Sequence, residues 1–172
     1  MQKHLLITIS EDIKVMHGVR FVGSFFRNKS DVSLTLLYVA PRTETGSGDR
    51  AQRDLDKKHA ETYRKSGDAA LGEARKMLIR DGFPEQNIDS KFMFKQFGAV
   101  KDIIREARAK KYDAVVLGKR GYALFQNIFQ DSMTKAIMER NIDLPLWICR
   151  RPEPRRRNIL LCVDGSEPSL RM

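Results

Sequence analysis

Short continuous apolar runs alternate along the chain with stretches whose apolar residues recur every three or four positions. Leu5-Leu6-Ile7-Thr8-Ile9 is apolar and β-branched without a polar alternation, which predicts a strand buried on both faces. Ser10-Glu11-Asp12 follows, a capping side chain and two acids suited to the positive end of a helix dipole, so a helix is expected to open there and bury Val15, Met16, Val19, Val22 and Phe26. Val32 to Val39 is a second strong strand, and the Thr, Ser and Gly between Pro41 and Gly48 read as a loop. A long helix from about Asp49 to Arg80 carries the stripe Leu55, Tyr63, Leu71, Ala74 and Leu78, with Gly67 and Gly72 as points of bending or close packing. Asp81-Gly82-Phe83-Pro84 ends it.

The second half continues the alternation. Lys91-Phe92-Met93-Phe94 is a third, weaker strand; Val100, Ile103, Ile104 and Ala107 mark a helix after Gly98; Asp113 to Gly118 is a fourth strand. A loop leads to a short helix near Ser132–Arg140, and Leu146-Trp147-Ile148-Cys149 is a fifth strand behind Pro145. Apolar strands alternating with amphipathic helices imply an α/β fold: an open, doubly wound, five-stranded parallel sheet of Rossmann-like type, with helices on both faces. Ligands of such sheets bind beyond the carboxyl ends of the strands where the strand order reverses, and the first and fourth strands are the natural neighbours of that crevice.

Composition narrows the class. A hydrophobic content of 41% supports a core, so disorder throughout is excluded. No apolar run approaches the ~20 residues of a membrane span, and the start leads directly into a strand without a leader's longer apolar stretch. Two cysteines, Cys149 and Cys162, make no disulfide framework and have no metal-ligand spacing. The expectation is a soluble protein of the reducing cytoplasm. The net charge of +10 is unevenly spread, densest in Arg150-Arg151-Pro152-Glu153-Pro154-Arg155-Arg156-Arg157. That segment reads either as a patch for nucleic acid or another polyanion, or as a solvated connector; without interleaved aromatics or a nucleic-acid motif, the connector is preferred.

The tail echoes the head. Asn158-Ile159-Leu160-Leu161-Cys162-Val163-Asp164-Gly165-Ser166 repeats the pattern of His4 to Asp12, a short apolar strand followed by polar residues able to open a helix. The expected organisation is one whole unit over residues 1–150, an Arg/Pro linker over 151–157, and over 158–172 the first strand of a second copy that is cut short.

Val163-Asp164-Gly165-Ser166-Glu167-Pro168-Ser169 looks like the opening of a universal stress protein domain. Gly118-Lys119-Arg120-Gly121, nine residues, then Asp131-Ser132 resembles the family's nucleotide loop, Gly-x2-Gly-x9-Gly-Ser/Thr. Leu37-Tyr38-Val39 closing the second strand, Gly98 six residues before Ile104, and Pro145 agree in order and spacing. The resemblance covers residues 3–150 and restarts at Asn158. It implies the fold of the adenine nucleotide alpha hydrolase-like group, a stress or signalling role, and pairing through the fifth strand with a second copy or with a tandem partner unit. In ATP-binding members the strand-one Asp reaches the nucleoside, the backbone after strand two borders adenine, and the glycine loop holds ribose and phosphates. Glycines 118 and 121 would let backbone approach a phosphate, and a helix starting near Ser132 would aim its free N–H groups at it.

Residue by residue the correspondence is partial. Gly118, Arg120, Gly121 and Ser132 are retained, as is Val39 on the adenine side. Ser10 stands at the first-strand Asp, Glu11 at its Gly, and Asp131 at the last glycine of the loop, while Asp164, Gly165 and Ser166 of the second copy are intact. A carboxylate ~5 Å from a phosphate charge costs about 3 kcal/mol at an effective dielectric of ~20, roughly a hundredfold in affinity. Lys119, Arg120 and Lys135 offset part of that; the plainer role of Asp131 is as the N-cap of the following helix.

The remaining candidates are weaker. His4, His17 and His59 have no acid or nucleophile at a telling spacing and read as structural or surface residues; Cys149 and Cys162 read as core fillers; Phe92, Phe94, Phe125 and Phe129 read as core or interface. The sequence carries no Walker A loop, Rossmann glycine fingerprint, zinc spacing, nucleophile elbow or catalytic constellation. It therefore predicts a non-catalytic stress-response or signalling module with a degenerate nucleotide crevice. The rivals are an ATP-binding, slowly hydrolysing protein and a basic polyanion binder. No cofactor is demanded by the residues, and ATP is the candidate that the resemblance supplies.

Overall fold

The central strand is paired along both edges and covered on both faces. β1 (Lys3–Ile9) is hydrogen-bonded on both edges, and Leu5, Leu6 and Ile7 are each at most 2% exposed, which accounts for a run with no polar alternation. The structure is a computed structural model that describes residues 3–12, 16–42, 50–118 and 145–149. β1 pairs in parallel with β2 (Val32–Ala40) on one side and with β4 (Ala114–Leu117) on the other; β3 (Ile88–Phe94) lies beyond β2 and β5 (Leu146–Ile148) beyond β4. The order β3-β2-β1-β4-β5 is the doubly wound arrangement expected from the sequence.

Alternation along the strands divides the core. Leu5, Ile7, Leu34, Leu36, Tyr38 and Val116 face α1 (His17–Phe25) and α2 (Arg50–Arg80) through Val19, Val22, Leu71, Ala74 and Leu78. Leu6, Leu37, Val115 and Leu117 face the opposite way onto Val100, Ile103, Ile104 and Ala107 of α3 (Ala99–Ala109). The boundaries of α2 and its stop agree with the sequence reading. Gly82 takes φ +96°, its N–H donates to Ile79 O at 2.9 Å and that of Phe83 to Leu78 O at 3.0 Å, the paired bonds of a Schellman ending.

Three expectations are corrected. The helix expected at Ser10-Glu11-Asp12 begins at His17 instead, with Met16 as N-cap, no side-chain cap and no acid in its first turn. β3 starts at Ile88, three residues earlier than its apolar signal, because Asp89 and Ser90 are exposed positions of an edge strand and are paired by backbone alone, opposite Thr35 and Leu36. Leu55, assigned to the buried stripe of α2, is 49% exposed. The helix of 31 residues is ~46 Å long at ~1.5 Å per residue and outruns strands of ~25–30 Å, so its first turns have no sheet beneath them. The short helix near 132–140 and the second-copy strand 158–166 fall outside the described residues.

Two polar groups are structural. Asp102 is 2% exposed, and its carboxylate accepts the N–H of Gln96 at 2.8 Å and of Phe97 at 3.2 Å, which folds the chain back before α3, where Gly98 offers no side-chain cap. His4 hydrogen-bonds Thr35 Oγ1 at 3.0 Å and packs its ring 4.3 Å from that of Tyr112. Burial pushes the His4 imidazole below its ordinary 6.5, a shift opposed in part by the Asp89 and Asp113 carboxylates and assisted by Lys110.

Two measurements follow. A Cβ on Gly67 would lie 2.6 Å from Phe92 Cε2 and 2.9 Å from Tyr38 Cδ1, whereas one on Gly72 would meet nothing within 4 Å. Gly67→Ala is expected to destabilise by ~1–3 kcal/mol through overpacking and Gly72→Ala to stabilise by up to ~1 kcal/mol through helix propensity, read as shifts in urea midpoint. The unfolded chain binds a proton at His4 more readily than the folded one. Stability is therefore full above pH 6.5 and is lost as pH falls below it, and His4→Gln should flatten that acid-side decline.

Candidate functional site

The chain runs outward from β1 through β2 to β3, then crosses the sheet to continue as β4 and β5. The strand order therefore reverses between β1 and β4, and in open sheets of this kind the carboxyl ends at such a reversal border the ligand crevice. Thr8 Oγ1 donates to Val116 O at 3.3 Å across the strands just below it. One wall is the start of α1. A Cβ on Gly18 would stand 3.3 Å from Val116 Cγ1 and 3.7 Å from Gly118 N, and one on Gly118 would stand 3.9 Å from Gly18 N. A glycine on each element thus brings the amino end of α1, with its free N–H groups, against the end of β4. At the first position of α1, the His17 Nδ1 atom is buried and has no hydrogen-bond partner among the described residues.

Three of the sequence-predicted positions are described, and the sheet brings them to one edge. Ser10 directly follows β1 and is half-buried; Gly118 directly follows β4; Val39 is the penultimate residue of β2, its side chain packed with the α3-side cluster. Ser10 and Gly118 end adjoining strands, with Val39 on the far side of β1, the order a ligand laid across the strand ends would meet. Arg120, Gly121, Asp131 and Ser132, and the second-copy residues Asp164, Gly165 and Ser166, fall outside the described residues.

One residue at this edge was misread from sequence. Glu11, taken as a helix-opening acid, lies before the helix, and its Oε1 accepts the Tyr38 hydroxyl at 2.6 Å. Tyr38 is 4% exposed, pairs by register with Ile9, and stacks on Phe92 with centroids 5.6 Å apart and planes 10° apart. Phe92 in turn meets Phe94 edge-on at 5.1 Å and lies under the Arg64 guanidinium at 4.6 Å. The aromatic residues of β3 are therefore packing partners, as their sequence suggested, and they hold the tyrosine that fixes Glu11. The signal was available in principle: a tyrosine amid an otherwise apolar strand needs a partner for its hydroxyl.

Among the described residues no group of three or more His, Cys, Asp or Glu side chains is placed to hold a metal ion, and no helix is long and apolar enough to cross a membrane. Cys149, at the end of β5, is buried; burial pushes its thiol up to about 11, the behaviour of a core residue and not of a nucleophile.

No protein-family model and no curated protein matches the chain. Solved structures do. The hypothetical protein MJ0577 superposes with a TM-score of 0.63 at 16% identity, covering 89% of this chain and 99% of that one. A universal stress protein in complex with cAMP gives 0.57 at 14% identity over 88% and 98% of the two chains. A universal stress protein family protein from Arabidopsis thaliana with AMP bound gives 0.54 at 15% identity over 97% and 98%. The parallel sheet, its order and its crevice define an open, doubly wound α/β protein. More narrowly, the fold is that of the universal stress proteins.

Proposed function

We propose that the chain is a universal stress protein-like module that receives an adenine nucleotide in the β1–β4 crevice and acts through the conformation this selects, not through turnover. The observation that carries the reading is the contact of Gly18 with Gly118 at the strand-order reversal, which keeps side chains out of the crevice and turns the amino end of α1 toward it. The AMP and cAMP complexes of proteins with this fold support an adenine nucleotide as the ligand class. In this reading Gly118, Arg120, Gly121 and Ser132 meet the phosphates, Val39 borders the base, and Asp131 holds affinity down by its charge. Nucleotide binding orders the 118–132 segment and biases which surface is offered to a partner. The residues past 150 are the linker and opening strand of a second such unit in the same proposal.

Pairing through β5 is the second part. Among the described residues β5 is hydrogen-bonded only to β4, and Ile148 on it is 49% exposed, so an open strand edge and an apolar side chain are offered together.

Two experiments test these statements. Calorimetric titration of ATP–Mg should give weak binding to the chain and roughly hundredfold tighter binding to Asp131→Gly, the factor expected for a carboxylate ~5 Å from a phosphate. Binding to neither rejects the nucleotide reading, and steady ATP hydrolysis rejects the non-catalytic one. Light scattering should show a dimer that Ile148→Asp converts to monomer with unchanged circular dichroism; a monomeric parent chain rejects the edge pairing.

A further inference from the structure

The outward face of α3 carries cations and no carboxylate. The exposed residues of this helix are Lys101, Arg105, Arg108 and Ala109. Positions 101, 105 and 108 lie within about 60° of one another around the axis, so the three cations form one line, ~10 Å long at ~1.5 Å per residue. The two acids of α3 are turned inward. Asp102 is 2% exposed and bonded to the N–H groups of Gln96 and Phe97, and the Glu106 side chain is 10% exposed and paired with Lys91. α2 differs, because Asp54, Glu61 and Asp68 are exposed among its lysines and arginines. Exposed Lys95, just past the end of β3, adds a cation before the helix. Lys110, past the other end of α3, acts on His4 together with Asp89 and Asp113 and is left out of the line.

Phe97 stands where the line begins. It is 62% exposed, more than any other large apolar residue among those described, and the Arg105 guanidinium lies over its ring at 4.6 Å from the centroid. The turn that displays it is held. Asp102 accepts the Phe97 N–H at 3.2 Å, and Gly98 takes φ +124°, a conformation that side chains resist. A single exposed ring carries no message by itself. This one is presented on a fixed turn, shares a face with a guanidinium, and heads a row of uncompensated positive charge.

We propose that α3 and the turn before it form a binding face for single-stranded nucleic acid. Phe97 stacks on a base, and Lys95, Lys101, Arg105 and Arg108 follow the sugar–phosphate backbone. Stacking on an aromatic ring beside a cationic track is how single strands are held without regard to sequence, and the arginine adds a cation–π contribution. An anionic bilayer fits less well: α3 buries Val100, Ile103, Ile104 and Ala107 in the core, so a membrane would meet one ring where it needs apolar area. The proposal is independent of the nucleotide reading, because this face lies on α3 and not in the β1–β4 crevice.

The test is fluorescence anisotropy of short labelled single-stranded RNA and DNA of mixed sequence, titrated with the whole chain. It is repeated with Phe97→Ala, with Lys101→Gln/Arg105→Gln, and with Arg155→Gln/Arg156→Gln/Arg157→Gln, each checked by circular dichroism for an unchanged fold. Three or four phosphate contacts predict a slope of about −2 to −3 in log K against log salt. Phe97→Ala should weaken the oligonucleotides ~10-fold and leave heparin, a polyanion without bases, unaffected. Lys101→Gln/Arg105→Gln should weaken both and reduce the slope by about 1.4. Excess ATP should displace nothing. Four results overturn the proposal: no oligonucleotide binding, with or without binding to phosphatidylserine vesicles; binding indifferent to Phe97→Ala; binding lost only in the triple arginine variant; or displacement by ATP, which would place the strand in the crevice.

Discussion

The parallel pairing of β1 with β4 is the junction on which the rest of the molecule depends. It joins the two halves of the sheet, and it lies at the reversal of strand order, so the pairing that closes the core also opens the crevice. Its closeness is set from outside the sheet by Gly18, which lets α1 lie against Val116 and the backbone of Gly118. Val116 itself is wholly buried, and its carbonyl accepts Thr8 Oγ1 at the upper limit of a hydrogen bond. Packing and site are thus made from the same few residues, and a side chain added at position 18 would disturb both.

The two faces of the sheet do different work. On one, α2 presses Gly67 onto the Tyr38–Phe92 stack, and the tyrosine hydroxyl donates to Glu11. On the other, α3 is anchored by Asp102 at its start, and Lys91 of β3 bonds the nine-tenths-buried Glu106 at 2.6 Å. Removing one partner of such a pair leaves the other charge with poor compensation, so specific polar contacts hold α3 in addition to its apolar cluster.

Much of this architecture was legible in the residues. The largely apolar, β-branched run Leu5–Ile9 reads as a strand covered on both sides, and Gly82 with Pro84 marked the end of α2. What the pattern concealed has physical reasons. Asp89 and Ser90 are held in β3 by backbone bonds to β2, which no side-chain periodicity reports. Ser10, Glu11 and Asp12 have the composition of a helix opening, yet local preference lost to a tertiary contact, the Tyr38 hydroxyl across the strand ends. Leu55 followed the helical period faithfully but lies where α2 has outrun the sheet, and periodicity contains no information about where a partner surface stops. The places of Ser10 and Gly118 at the ends of β1 and β4 could be read from the sequence; the packing of Gly18 could not, because it depends on the distance between two elements far apart in sequence.

The separation across the central junction also bears on how the protein comes to exist. His4 N–H donates to the Asp113 carboxylate and Asp113 N–H donates to His4 O, between residues 109 positions apart in the chain. The pairing of β1 with β2 spans about thirty residues and the helices form locally, so a growing chain can assemble β1, β2, β3 and both of their connecting helices while one edge of β1 is still bare. The loop that must close to bring in β4 is the longest in the sheet, and non-local parallel pairing is slow. The β1–β4 junction consequently forms only after β1, β2 and β3 can already be in place. Until it does, the bare edge of β1 is a point of vulnerability to association with other chains, during synthesis and after any partial unfolding.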